Sequence, residues 1–483
     1  MTIADLYSMM PLIVIAMAPV VMMIVISILR NYEVIYGFSV LAFIVAFASL
    51  FFTGSFLPRS IEPLLIVDVY SLFFLGIIIA SALLVTILSH DYIGTLGGVK
   101  EEYFLTLFTS TLGASLLAVA GHFVIFFLGL ELLSVSLYIL VAFQRSKDTS
   151  VEAGIKYLLL ASVSSAFLLF GMALIYTGTG TMQFAGVASL LKGSDAIAGF
   201  VSVGFSMMMV GIGFKLALVP FHMWTPDVYQ GAPAPVSAYI ATVSKGAVMA
   251  VLIRFFFDIR GYDSRFFFVV ISALAILSMF IGNLLALKQQ NIKRLLAYSS
   301  IANMGYLLVL LLTGTDKGIQ AAVFYLISYF VTTIGAFGVI TLLSISREET
   351  EKIDDYRGLF WTRPWAALVL TLSMLSLAGI PFTAGFIAKF YLILEGMKAG
   401  LMLLIIVMII NSVIGLYYYL RVITSMFTPG DDAGLPAISL NGNMALVLIT
   451  LGILILGIYP GWLINIITRL EIGRASCRER VYH

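Results

Sequence analysis

The sequence predicts an all-α polytopic membrane protein with about 14 transmembrane helices. Of the 483 residues, 61% are hydrophobic and 11% are charged, and the mean hydropathy is +1.08. A soluble domain, by contrast, carries about 25% charged residues. The apolar runs are continuous and about 20 residues long, which is the length that a helix needs to cross a bilayer. Two runs are interrupted by glycine and proline, as in helices that line a hydrated interior.

The predicted spans follow one another with short polar breaks. Continuous apolar runs favour helices over a barrel, whose strands alternate apolar and polar residues. Lysine and arginine are more frequent in the loops after odd-numbered spans, so these loops are predicted to be cytoplasmic and both termini external. The spans are 11–29, 35–53, 69–88, 103–120, 122–143, 151–177, 198–225, 235–257, 265–287, 294–314, 319–345, 366–394, 400–426 and 443–467.

The two interrupted spans indicate an internal repeat. Pro220 breaks span 7 and Pro381 breaks span 12, and each is the fourth span in a run of five. A five-span unit repeated in tandem is inverted across the membrane, an architecture known from transporters. The predicted organisation is an N-terminal three-helix segment (1–102), two inverted five-helix repeats (103–257 and 258–427), a C-terminal helix (428–470) and a tail that reads as non-native sequence (471–483).

Composition argues against several classes of function. The net charge of +2 gives no basic surface for nucleic acid. The single cysteine, Cys477, cannot hold an iron–sulfur cluster. The histidines, at 90, 122, 222 and 483, are scattered without the spacing of metal ligands. The chain itself is therefore predicted to hold no metal or cofactor, and its predicted surroundings are the lipid bilayer.

Four isolated charges lie inside apolar spans: Glu131, Lys215, Lys245 and Lys389. A charged side chain at mid-membrane costs at least about 2.5–3.5 kcal/mol on insertion scales, and such residues usually mark an ion or proton pathway. The alternatives are a structural pair between helices for the glutamate, and snorkelling to the membrane surface for the lysines. The depth of these positions favours a proton pathway.

Lys156 and His222 are weaker candidates. Thr149 and Glu152 form a predicted capping box that would begin a helix near residue 150. Lys156 can pair with Glu152 at i+4 on the surface, or belong to the pathway. His222 shares a face with Lys215 if the helix stays regular, where it could relay protons or be a satisfied interior histidine.

Other polar residues have simpler interpretations. Arg254, Arg421, Lys288, Lys293 and Arg294 lie toward the predicted membrane edges, where snorkelling and anchoring explain them. A polar face on span 10 either holds water or bonds neighbouring helices. Its members are Ser299, Asn303 and Tyr306.

Desolvation gives the buried charges a chemistry. A low dielectric disfavours the ammonium form of a lysine, and a nearby carboxylate restores it. The distance between Glu131 and Lys215 would therefore set the proton affinity of that lysine, and the two would titrate as a coupled unit. A tenfold change in proton affinity is worth about 1.4 kcal/mol. This is comparable with the cost of about 2.3 kcal/mol for moving one charge through roughly 100 mV.

Four segments resemble the antiporter-like membrane subunits of respiratory complex I, and the resemblance extends over nearly the whole chain apart from the tail. They read FLGLELLSVSLYIL at 127–140, GIGFKLALVPFHMWTPDVYQGAPAPVSAY at 211–239, NIKRLLAYSSIANMGY at 291–306 and SLAGIPFTAGFIAKFY at 376–391.

Three features favour the subunit N branch of this family. They are the segment LELLSVSLY around Glu131, a lysine at position 389 (Lys389) where a sister subunit usually has glutamate, and the lack of a long C-terminal lateral helix. The resemblance implies fourteen helices, two inverted five-helix repeats and broken helices 7 and 12. It also implies a central chain of ionisable groups, in which Lys156 is a further member beside Glu131, Lys215, Lys245 and Lys389.

The function implied by the resemblance is that of a proton-translocating subunit of NADH–quinone oxidoreductase. Such a subunit lies in the membrane arm beside sister antiporter-like subunits, in the inner (plasma) membrane of a bacterium or archaeon. NADH, FMN, iron–sulfur clusters and quinone would bind to other subunits. The alternative is a subunit of a multisubunit cation/proton antiporter, which shares these motifs. A pure scaffold is disfavoured because it has no need of buried charges.

Overall fold

The computed structural model describes residues 2–61, 63–190, 195–344, 350–430 and 438–469, with the backbone alone at 195–198. The tail that reads as non-native, 471–483, lies outside the described residues, together with Cys477 and His483.

The described chain is almost entirely helical, with one short antiparallel hairpin in which Arg59 lies opposite Val67. The elements are α1 (Ile3–Ser8), α2 (Met10–Ile28), α3 (Tyr32–Thr53), β1 (Arg59–Ile61), β2 (Leu65–Val67), α4 (Val69–Thr95), α5 (Glu101–Ala118), α6 (Phe123–Val141), α7 (Asp148–Thr179), α8 (Phe184–Leu190), α9 (Asp195–Leu216), α10 (Trp224–Gly231), α11 (Ala234–Tyr239), α12 (Lys245–Asp258), α13 (Arg265–Leu287), α14 (Ile292–Leu311), α15 (Asp316–Leu343), α16 (Leu359–Thr362), α17 (Pro364–Ala378), α18 (Ala384–Lys398), α19 (Met402–Phe427), α20 (Leu440–Ile458) and α21 (Gly461–Ile467).

Twelve helical segments within the described residues are long and apolar enough to cross a membrane. The predicted all-α polytopic fold is confirmed. The predicted fourth and twelfth spans are not among the twelve. The fourth, α5, begins with Glu101 and Glu102, and the twelfth is divided into α17 and α18, of 15 residues each. The total of fourteen helices stays a prediction.

Both proline-containing spans are interrupted, and the prolines lie in the interruptions. Proline has no N–H to donate to a helix, so it is tolerated where the helical bonds already end. Break 1 comprises residues 217–223, between α9 and α10, and contains Pro220. Break 2 comprises residues 379–383, between α17 and α18, and contains Pro381.

The centre of the molecule is formed by three segments that are buried over most of their length, Ala234–Asp258, Ile292–Leu311 and Asp316–Leu343. The first joins α11 to α12 through a π-helical turn at Ile240–Ser244. The outer helices keep apolar side chains exposed, as expected of surfaces that face lipid or other subunits. The division into two five-helix repeats, 103–257 and 258–427, stays a prediction. The inverted symmetry of the repeats stays a prediction.

The predicted capping box at the start of α7 is wrong. The helix begins at Asp148, and its N-cap, Lys147, makes no side-chain capping bond. Thr149 therefore lies inside the first turn and cannot cap it. The physical reason is that Asp148 places a carboxylate in the first turn, where the helix dipole favours negative charge, so the helix starts before Thr149.

Candidate functional site

Lys215 lies in the last turn of α9, directly before break 1, and only 1% of it is exposed. Its ammonium donates to the hydroxyl of Tyr157 at 3.3 Å and lies 4.9 Å from the centre of that ring. The rings of Phe214 and Tyr138 are 5.6 and 5.9 Å away. A cation is favoured at a helix C-terminus and over aromatic faces. The alternative that Lys215 snorkels to the membrane surface is therefore wrong.

Break 1 satisfies its freed backbone groups without using this lysine. The N–H of Val219 donates to the hydroxyl of Ser278 at 3.0 Å. The indole N–H of Trp224 donates to the carbonyl of Phe214 at 2.8 Å. Both partners are neutral side chains, so these backbone groups do not need the Lys215 ammonium as a donor. The ammonium lies against the aromatic rings instead.

Glu131 lies on α6, is half-buried and accepts a hydrogen bond from Ser165 of α7. Among the described residues, no direct ion pair joins Glu131 to Lys215. Instead, both groups bond to α7, since Tyr157 and Ser165 are about two turns apart on that helix. Glu131 and Lys215 are therefore not in direct contact. Each bonds to a different residue of α7, Ser165 and Tyr157 respectively.

Lys245 is fully buried and follows the π-helical turn directly. Such turns are frequent at functional sites, because they change the direction of the side chains that follow. Its ammonium donates to the hydroxyl of Ser300 at 2.6 Å and lies 5.8 Å from the ring of Tyr229. Lys245 thus connects α12 to α14 through Ser300.

Lys389 lies on α18 and caps the helix that precedes break 2. Its ammonium donates to the carbonyls of Leu377 and Ala378 and to the hydroxyl of Ser412, each at 2.9 Å. The last carbonyls of a helix have no intrahelical partner, and their dipoles favour a cation. Lys389 is only 8% exposed, so these bonds replace water around its charge.

A small polar cavity lies beside Lys389. Its volume of about 10 Å³ is enough for a single water molecule. One of its walls is Tyr329, whose hydroxyl donates to Ser300 at 2.7 Å, the same oxygen that bonds Lys245. The polar groups that line the cavity beside Lys389 are Asn303, Tyr325, Ser328, Tyr329, Thr332 and Ser376.

The polar face predicted on span 10 bonds neighbouring helices and reaches the cavity. It lies on α14, and its members are buried. The hydroxyls of Ser299 and Tyr419 form a hydrogen bond of 2.5 Å. The side-chain oxygen of Asn303 accepts from the Tyr325 hydroxyl at 2.7 Å, and the Tyr306 hydroxyl accepts from the side-chain amide of Asn283 at 3.0 Å.

Among the described residues, neither Lys156 nor His222 is a hydrogen-bond partner of the three buried lysines. Lys156 is 44% exposed and forms the predicted i+4 pair with Glu152 at 2.7 Å, together with a second ion pair to Asp227 at 3.1 Å. His222 lies within break 1. The condition for sharing a helical face with Lys215, a regular helix through residue 222, is not met, because α9 ends at Leu216.

The snorkelling interpretation of Arg254 is also wrong. Arg254 is buried and donates to both carboxylate oxygens of Asp68, at 2.8 and 3.0 Å, and to Ser71 at 2.9 Å. Its guanidinium lies 4.8 Å from the ring of Tyr70. In the sequence, Arg254 is only a charge at the end of an apolar run. That pattern does not indicate its partner, Asp68, which lies far away in the chain.

Lys293 is buried and so does not snorkel to the membrane surface, whereas Arg294 is partly exposed and its anchoring role stays a prediction. The ammonium of Lys293 is buried and donates to the carbonyl of Ala232, at the C-terminal end of α10, at 2.7 Å. Arg294 pairs with Asp227, in the first turn of α10, at 2.7 Å. The short helix after break 1 is thus held at both ends by adjacent residues of α14.

Within the described ranges, no group of three histidine, cysteine, aspartate or glutamate side chains is arranged to hold a metal ion. The groups that the site offers are amines, hydroxyls, amides and one carboxylate. These groups can carry protons and hold water.

Residues 120–415 match the family described as NADH:quinone oxidoreductase/Mrp antiporter, transmembrane. The chain is 42% identical over 479 residues to NADH-quinone oxidoreductase subunit N of Ectopseudomonas mendocina (strain ymp), and the match covers 96% of each protein. It is 43% identical over 473 residues to the protein of the same name from Methylococcus capsulatus (strain ATCC 33009 / NCIMB 11132 / Bath), covering 96% of this chain and 95% of the relative.

Among solved structures, a chain of respiratory complex I from Thermus thermophilus with bound aureothin is similar throughout. The TM-score is 0.82 at 32% identity, and the match covers 94% of this chain and 98% of that one. The family match and the relatives agree over nearly the full length of the sequence. The chain therefore belongs to the NADH:quinone oxidoreductase/Mrp antiporter family of membrane subunits, in its NADH-quinone oxidoreductase subunit N branch.

Proposed function

We propose that this chain is a proton-translocating membrane-arm subunit of a bacterial NADH-quinone oxidoreductase, located in the inner membrane beside sister antiporter-like subunits. NADH, flavin, iron–sulfur clusters and quinone bind to other subunits of the complex. This subunit takes no part in electron transfer. It couples the electron transfer that occurs elsewhere to the movement of protons through its own side chains.

The observation that carries this proposal is the setting of three buried lysines, Lys215, Lys245 and Lys389. Each is enclosed by the helix bundle and hydrogen-bonded to neutral groups, with no carboxylate in ion-pair contact among the described residues. An amine in such a setting gains or loses its proton in response to small changes in the charge around it. A scaffold has no use for three charges at this cost.

The proposed order of the pathway follows the contacts. Charge movement in the rest of the complex changes the interaction between Glu131 and Lys215, through their bonds to α7. Lys215 then exchanges protons with Lys245, and Lys245 with Lys389, from which protons reach the outer face. Lys156, which is exposed and paired, and His222, in break 1, are further members near the start of this route.

Alanine variants of the pathway residues test this function in the assembled complex. Lys215→Ala, Lys245→Ala, Lys389→Ala and Glu131→Ala should each lower the number of protons moved per NADH oxidised in inverted membrane vesicles. The reason is that each removes a group that holds the proton in turn. Proton uptake by a pH-sensitive dye and NADH oxidation are measured on the same vesicles.

The control is Lys317→Ala, which removes an exposed lysine at the start of α15. This variant should pump like the unmodified complex. Complexes must contain all subunits in normal amounts before the ratios are compared. Normal proton-to-NADH ratios in both Lys215→Ala and Glu131→Ala would remove that pair from the mechanism.

A second candidate function is a subunit of a multisubunit cation/proton antiporter, because the matching family includes Mrp antiporters. Mild detergent extraction distinguishes the two. Flavin and iron–sulfur subunits that co-purify with the chain support the oxidoreductase. Antiporter subunits without redox partners would support the alternative. The identities of 42% and 43% to relatives named subunit N favour the oxidoreductase.

A further inference from the structure

Ser300 of α14 lies where the helices that carry Lys245 and Tyr329 meet. Its hydroxyl accepts from the ammonium of Lys245 at 2.6 Å and from the phenol of Tyr329 at 2.7 Å. Ser300 and Tyr329 are 1% and 4% exposed. Because bulk water is excluded there, a proton that leaves Lys245 on this side meets the Ser300 oxygen first.

Tyr329 and Lys389 line the same cavity. The cavity has room for about one water molecule, and a water in such a site needs two to four polar partners. Asn303, Thr332 and Ser376 line the cavity and carry side-chain groups of the kind that such a water requires. Tyr329 therefore connects two parts of a polar series, the bond between Lys245 and Ser300 and the cavity next to Lys389.

We infer that Ser300, Tyr329 and one water molecule in this cavity form the proton relay between Lys245 and Lys389. A hydroxyl can donate and accept at once, and its hydrogen rotates freely between partners. The Lys389 ammonium donates its three N–H groups to Leu377, Ala378 and Ser412, so the neutral amine must turn its lone pair toward the water to accept the proton. The inference rests on the proposed function and specifies the residues that perform one of its steps.

The transfer begins when the hydroxyl hydrogens of Ser300 and Tyr329 rotate toward Lys389, because in the structure both Lys245 and Tyr329 donate to Ser300. Protons then shift along the series from Lys245 to Lys389. An N–H bond of the Lys245 ammonium breaks as an O–H bond forms on Ser300, and Ser300 passes its own proton to the Tyr329 oxygen. Tyr329 releases its proton to the water, and the water gives one of its own to the neutral amine of Lys389. The net change is that Lys245 becomes neutral and Lys389 becomes an ammonium, with every hydroxyl restored.

Tyr325 provides a matched control within the same cavity. It lies one turn before Tyr329 on α15 and lines the same space. Its hydroxyl, however, donates to the side-chain oxygen of Asn303 at 2.7 Å rather than to Ser300. Removing this hydroxyl alters the wall of the cavity but leaves the series from Lys245 to Lys389 intact.

The experiment compares Tyr329→Phe, Ser300→Ala and Tyr325→Phe in the assembled complex, with Lys245→Ala and Lys389→Ala as references. The readout is protons moved per NADH oxidised in inverted vesicles. We expect Tyr329→Phe and Ser300→Ala to lower this ratio to that of Lys389→Ala, and Tyr325→Phe to match the unmodified complex. If Tyr329→Phe does not assemble, Ser300→Ala tests the relay, because it removes the hydroxyl that bonds both Lys245 and Tyr329.

Two results overturn the relay. One is a normal ratio in Tyr329→Phe and Ser300→Ala while the lysine variants fail to pump, which leaves the proposed function standing. The other is an equal loss in Tyr325→Phe and Tyr329→Phe, since the shape of the cavity rather than the Tyr329 hydroxyl would then matter. Normal pumping by Lys245→Ala and Lys389→Ala is a separate outcome, which rejects the proposed function together with the relay.

Discussion

Break 1 and break 2 share the sequence pattern Leu-Ala-x-x-Pro-Phe, at 216–221 and 377–382, yet they use their lysines differently. In break 1 the lysine precedes the pattern, points toward aromatic rings and leaves the backbone to neutral partners. In break 2 the lysine follows the pattern and bonds the terminal carbonyls of the preceding helix.

The difference shows that one local break can serve two purposes. Lys389 holds break 2 together, so a change in its protonation alters the partners of two backbone carbonyls. Lys215 contributes little to the backbone of break 1, so its charge can change with less effect on the helix ends. The two lysines are therefore expected to differ in their importance for stability even where both are needed for pumping.

The largest expected effect comes from Lys389→Met, compared with Lys215→Met. Both variants remove a buried ammonium, but only Lys389→Met leaves two buried carbonyls without this donor. Each such group costs about 1–3 kcal/mol, so Lys389→Met should be less stable than Lys215→Met by about 2–6 kcal/mol. The midpoint of thermal unfolding of the detergent-purified complex measures this. Equal midpoints would show that Lys389 does not cap break 2.

A smaller effect is expected at the residue that turns the chain after each helix. Gly379 has φ 86° and Ala217 has φ 60°, in the left-handed region that costs an L-residue about 1–2 kcal/mol. A Cβ at Gly379 would also lie 2.8 Å from the Lys389 side chain. Gly379→Ala should lower the midpoint of thermal unfolding and Ala217→Gly should raise it. Shifts of the same sign in both variants would contradict this account.

The smallest effect is expected from Trp224→Phe, which removes the indole N–H that bonds the Phe214 carbonyl in break 1. That carbonyl also accepts from the Ala217 N–H at 3.0 Å, so the loss should be only about 0.5–1.5 kcal/mol. Hydrogen exchange should become faster in break 1 and stay unchanged in break 2. Trp361→Phe, at an exposed tryptophan, is the control and should change neither region.

Much of the candidate site could be predicted from the sequence, because a charge in an apolar run has few explanations. The positions of Lys215, Lys245 and Lys389 followed from this rule. Both breaks followed from proline, which has no N–H to donate to a helix. The pairing of Asp68 with Arg254, and of Asp227 with Arg294, could not be predicted. Each joins helices that are distant in the chain, and their charges lie near the ends of apolar runs, where a membrane anchor looks the same.

The sequence by itself determined the fold class and the residues that bear charge, because a chain of this hydropathy can bury its backbone polar groups in lipid only as helices. The tertiary structure decided what each charge contacts. It placed Lys215 against aromatic rings, Lys245 on Ser300 and Lys389 on two carbonyls. Hydrogen-bond partners across helices depend on how the helices pack, and no spacing along a single helix encodes that arrangement.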